Sequence, residues 1–158
     1  MGLLILYLFI AIGISFLCSI LEAVLLSTPE SYIEILMTEK RGGAENLKKL
    51  KNAIDRPLSA ILSINTIAHT IGAAGVGAQA TKIFGEVYFG LVSAVLTLLI
   101  LVLSEIIPKT IGATYWRSLA LLSVPVIKVF MYVAYPFVIL SERITRIIAK
   151  RGQAYTFS

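Results

Sequence analysis

Polar residues are sparse and clustered along this chain, and long apolar runs separate the clusters. Three runs are long enough to cross about 30 Å of hydrocarbon as helices, which takes about 20 apolar residues. The first fills residues 1–27 and carries one charge, Glu22. The second fills 58–81 and carries none; the third fills 87–107 and carries only Glu105. A fourth apolar stretch, 119–140, lies within an expected helix over 118–151 and holds Lys128 at its middle and Pro125 and Pro136 inside it. Between the first two runs, residues 28–57 predict two short helices around Gly42-Gly43. Thr28 or Ser31 is placed to cap the first of them. Ile33, Leu36 and Met37 stripe that helix; Leu47, Leu50 and Ile54 stripe the second.

Lysine and arginine set the orientation. Residues 28–57 carry Lys40, Arg41, Lys48, Lys49, Lys51 and Arg56, whereas the turn at 82–86 carries only Lys82. The long loop is therefore expected in the cytoplasm, with the N-terminus outside and the C-terminus inside a cell membrane. If the fourth stretch spanned, Arg143, Arg146, Lys150 and Arg151 would lie outside. A mid-bilayer Lys128 would also cost about 2.5–3.5 kcal/mol. A helix lying along the cytoplasmic interface avoids both penalties. The expected fold is all-α and membrane-embedded, with three transmembrane helices plus a juxtamembrane belt helix; four spans is the alternative.

Composition agrees. The 158 residues are 58% hydrophobic, with a mean hydropathy of +0.88, beyond the range of soluble domains. The net charge of +5 follows from topology, so no nucleic-acid partner is expected. A single cysteine, Cys18, excludes an internal disulfide framework. The first run lacks a basic leader region and is read as a retained membrane helix.

Polar residues inside the spans carry the candidate chemistry. Ser15, Ser19 and Glu22 share one face of the first helix at i, i+4 and i+7. The second helix has two polar stripes, one of Ser59, Ser63, Thr66 and Thr70, the other of Asn65, His69 and Gly72. Ser19 and Asn65 each lie roughly 10 Å in from the cytoplasmic end at 1.5 Å per residue. Two carboxylates, Glu22 and Glu105, sit nearer that end. The pattern predicts a cytoplasm-facing cavity with Glu22, Ser63 and Lys109 at its mouth and an ion site at its depth. His69 reads as a hydrogen-bonded packing residue, because one imidazole makes no metal site. The small residues of Gly72–Ala78 permit close helix packing and fit a homodimer seam. Pro108 ends the third span and frees carbonyls above it. A serine hydrolase built on Ser63 and His69 is set aside, since no Gly-x-Ser-x-Gly elbow accompanies them; no enzyme is expected.

Three stretches together resemble a known family. "SILEAVLLS", "ILSINTIAH" and "SEIIPKTIGA" are similar, in order, to the three helix motifs of the CNNM/CorC transmembrane domain. The resemblance implies a Mg²⁺ transporter, with Na⁺ as the coupling ion for export, built as a homodimer in the lipid bilayer. It places the ion site on Ser15, Ser19 and Asn65, with Glu105 and a backbone contribution near Gly112. Glu22-Ala23-Val24 departs from the family's usual Glu-Thr-Ala and removes a hydroxyl. Members usually continue into paired cytoplasmic CBS domains that bind nucleotide; this chain is read as the membrane portion alone. Hard oxygen donors suit Mg²⁺, and the lack of clustered sulfur and imidazole argues against soft metals. The residues themselves leave Mg²⁺ against Na⁺ open. They also leave open a non-transporting Mg²⁺ sensor or adaptor.

Overall fold

The computed structural model describes residues 2–156 and contains no strand among them. Helix α1 is Gly2–Ser27, α2 is Glu30–Thr38, α3 is Ala44–Asn52 and α4 is Asp55–Phe84. A 3₁₀ turn, Glu86–Tyr88, leads into α5, Phe89–Leu101. A π-helical turn, Val102–Ile106, joins α5 to α6, Ile107–Thr114. Helices α7, Trp116–Val133, and α8, Tyr135–Thr156, complete the chain. Four stretches are long and apolar enough to cross a bilayer: Gly2–Ser27, Asp55–Phe84, Glu86–Thr114 and Trp116–Val133. The fourth is the shortest, at 18 residues, or about 27 Å of helix.

The two short helices appear where their stripes place them. Gly43, with φ of 90°, supplies the left-handed turn between them that a side chain would resist. The expected hydroxyl cap does not form. Pro29 occupies the N-cap of α2 with no side-chain bond, and the Thr28 hydroxyl instead donates back to Val24 O at 2.7 Å. Threonine in the last turn of a helix readily takes the carbonyl four residues back.

Ile33 and Leu36 from α2 and Leu47 and Leu50 from α3 close over the end of α1 at Leu21, Val24 and Leu25. Ile61 of α4 and Ala120, Val124 and Ile127 of α7 complete this apolar core. Lys51 Nζ donates to Leu25 O at 2.8 Å, satisfying one of the carbonyls that every helix end leaves open. Burial beside that carbonyl pushes the Lys51 amine below its ordinary pKa.

Residues 118–151, expected as one belt helix, form two. The chain turns at Ala134, whose φ and ψ are −94° and 15°. Pro136 explains the break: it has no N–H for Tyr132 O, and its ring crowds that carbonyl. Pro125 has the same defect, yet α7 runs through it. Beyond the turn, Ala134 and Val138 pack on Ala60.

Small residues set the spacing of the long helices. Gly72 lies against Ala11, where an added Cβ would collide with the Ala11 methyl, and a Cβ on Gly75 would come 2.8 Å from the Tyr7 ring. The stretch expected to suit a seam between copies thus begins by packing α4 on α1 within the chain. On the other side of α1, a Cβ on Gly112 would lie 2.8 Å from both Ile20 O and the Ala23 methyl. Helix α1 is therefore gripped by α4 and α6, and this grip positions the polar groups between them.

Candidate functional site

Pro108 organises the site through what it lacks. Without a proline N–H, Ser104 O loses the donor an α-helix would give it. Over Val102–Ile106 the helix widens to π geometry, a form frequent at functional sites. The freed Ser104 O accepts from Ser19 Oγ at 2.6 Å. Ser104 Oγ itself bonds back to Ile100 O at 2.5 Å. Ser19 and Ser104 are both fully buried, so this contact ties α1 to the π turn in the interior.

One turn along α1, Ser15 is also fully buried and meets side chains rather than backbone. Its Oγ donates to Asn65 Oδ1 at 2.7 Å and touches His69 Nε2. It lies 3.4 Å from Glu105 Oε1. Asn65 Nδ2 donates to that same Glu105 oxygen at 3.2 Å, and His69 Nε2 is 3.4 Å from it. With the single Ser15 proton on Asn65 Oδ1, His69 Nε2 can meet Ser15 only as a donor. The other Glu105 oxygen, Oε2, accepts from Lys109 Nζ at 3.1 Å. Lys109 also stands 3.6 Å from Glu22 Oε2. The centre thus holds a hydroxyl, an amide, an imidazole and a carboxylate from three helices, and one cation links two carboxylates beside it.

The structure brings together Ser15, Asn65 and Glu105, with Ser19 one turn away and Glu22 and Lys109 on the flank. Gly112 sits in the α1–α6 contact described above. Ser63 stands apart: it lines a groove with Leu62, Thr66 and Phe137. Two residues along a helix turn about 200°, so Ser63 points away from the centre that Asn65 faces. His69, read from sequence as a hydrogen-bonded packing residue, makes its contacts inside the centre. Its i, i+4 spacing from Asn65 was the available signal. Among the described residues, no three His, Cys, Asp or Glu side chains converge to hold a metal; the donors here are mostly hydroxyl, amide and backbone oxygen.

Residues 6–157 match the Cyclin M transmembrane N-terminal domain, CNNM. The chain belongs to the CNNM family. It is 36% identical over 137 residues to a UPF0053 protein of Synechocystis, an alignment covering 87% of this chain and 40% of that protein. It is 27% identical over 125 residues to a UPF0053 protein of Haemophilus influenzae, covering 79% and 30%. With the UPF0053 inner membrane protein YfjD of Escherichia coli it shares 28% over 107 residues, covering 68% and 25%. The CNNM domain here therefore spans well under half the length of these curated relatives. It is an all-helical, multi-pass membrane domain.

Proposed function

We propose that this chain is the ion-handling membrane domain of a Mg²⁺ transporter that exports Mg²⁺ in exchange for Na⁺. The observation that carries this reading is the convergence of Ser15 and Asn65, from two helices, on one carboxylate oxygen of Glu105 from a third. Carboxylates in membrane spans are costly and mark ion pathways. Hydroxyl, amide and carboxylate oxygens are the hard donors Mg²⁺ prefers. Ser15, Ser19, Asn65 and Glu105 form the site in this reading. Gly112 lets α6 approach α1 closely enough for the backbone oxygens of the π turn to contribute.

The donors bond one another, Ser15 to Asn65, Asn65 to Glu105 and Ser19 to Ser104 O, so they are held in place. Ion entry exchanges the Ser15–Asn65 bond and the Ser19–Ser104 bond for metal contacts. Lys109 covers Glu105 and Glu22 when the cation leaves, which avoids two uncompensated charges in low dielectric. It swings toward water when the cation arrives. Three spans with α7 in the cytoplasmic interface fit this scheme. Ala120, Val124 and Ile127 of α7 pack in one core with α2, α3 and parts of α1 and α4. A homodimer with cytoplasmic CBS domains completes the proposed whole protein in the plasma membrane.

Mg²⁺ flux in proteoliposomes, with and without an opposing Na⁺ gradient, tests the reading against Asn65→Ala. Flux that is driven by Na⁺ and lost in the variant supports it. Undiminished flux in a folded Asn65→Ala protein would sink the site. Mg²⁺ binding without flux in the wild type would instead assign a sensor.

A further inference from the structure

Where α4 begins and α8 passes it, a cavity of about 350 Å³ opens. Three arginines line it, Arg56 from α4 and Arg143 and Arg146 from α8, against one carboxylate, Glu142. Glu142 pairs with Arg56 and so fixes that guanidinium. Neither Arg143 nor Arg146 pairs with a carboxylate among the described residues. The lining is therefore net positive, and two of its cations are unengaged.

Its remaining walls are apolar: Met131 near the end of α7, then Val138 and Ile139 on α8. Tyr135, exposed, stands beside them. The cavity is level with the first turn of α4, where Asp55-Arg56 gives way to the apolar run from Leu58. Under the three-span reading proposed above, on which this inference rests, that level lies at the boundary between water and hydrocarbon.

We infer that this cavity binds an anionic phospholipid. Arg143, Arg146 and Arg56 hold the headgroup phosphate, and Met131 and Ile139 take the first carbons of its chains. A guanidinium fork matches phosphate oxygens in pairs, and basic side chains at this level attract anionic lipid. A free phosphate would use the arginines and leave the apolar walls uncovered. Charge and grease side by side at the membrane boundary fit a lipid better than a soluble anion.

Native mass spectrometry of the full chain in detergent, with phosphatidylglycerol or phosphatidylcholine added, tests this. The wild type is expected to retain phosphatidylglycerol about tenfold more strongly. Arg143→Gln with Arg146→Gln should erase the preference. Both side chains are exposed, so the double variant should keep its melting temperature in detergent. Arg143→Lys with Arg146→Lys should keep part of the preference, since the charge remains. Equal retention of the two lipids by the wild type would overturn the proposal, as would a preference unchanged in the glutamine variant. Displacement of the lipid by inorganic phosphate at equal concentration would assign the cavity to a free anion and overturn it too.

Discussion

Leu25, Ile33, Leu47, Ile61 and Ile127 are sealed from solvent on every side at one end of the molecule. Along α5 no side chain is buried, although that helix is more apolar than any of theirs. The two regions use hydrophobicity differently. At the sealed end, apolar atoms pack on one another to interior density. Along α5 they meet lipid or another protein, because lipid tails are as apolar as leucine and give helices no hydrophobic reason to associate. Hydropathy alone does not separate the two; stripes do. Helices α2, α3 and α7 are apolar on one face, and that face is what they bury.

Substitutions should divide along this line. Ile127→Ala leaves a cavity in the sealed core and is expected to cost roughly 2–5 kcal/mol, read as a lower melting temperature in detergent. A melting temperature within error of wild type would break the distinction. Gly112→Val is next, because its Cβ meets Ile20 O and Ala23. Overpacking there should cost about 1–3 kcal/mol. The variant should also loosen the π turn, seen as faster amide exchange at residues 102–109.

Asn65→Ala removes a donor and an acceptor from the polar centre and should cost about 1–2 kcal/mol. Ser63→Ala, two residues away on the opposite face, should stay within about 0.5 kcal/mol. Equal losses in that pair would erase the difference between the two polar stripes of α4. Smallest of all, Leu98→Ala on the exposed face of α5 should shift detergent stability by under about 0.5 kcal/mol. A large loss there would mean that α5 is covered by another copy of the chain.

Much of this was legible in the residues. The two short helices and the apolar rods follow from period. Depth puts Asn65 level with Ser19, whereas its partner is Ser15, one turn further in, and Ser19 meets Ser104 O instead. Lys109 beside Glu105 follows from i, i+4 spacing. Depth without phase misled at Ser63, which lies at a suitable level but points to Phe137. His69, expected to be hydrogen-bonded, lies between the Ser15 hydroxyl and the Glu105 carboxylate. Pro136 split a helix while Pro125 did not. The chain beyond Pro136 packs back on Ala60, a tertiary contact that no local pattern encodes. Thr28 faced two acceptable partners, and the carbonyl behind it won.

The π turn at Val102–Ile106 has a consequence for the long rod that contains it. A wide turn takes in about one extra residue, and each residue rotates a helix by roughly 100°. The rod is thus continuous along the chain but broken in phase. Before the turn it shows one bearing and has no fully buried residue; after it, Pro108 and Gly112 are buried, Gly112 against α1. Deleting a single residue between 102 and 106 would leave the rod long enough to cross a bilayer and point its last two turns the wrong way.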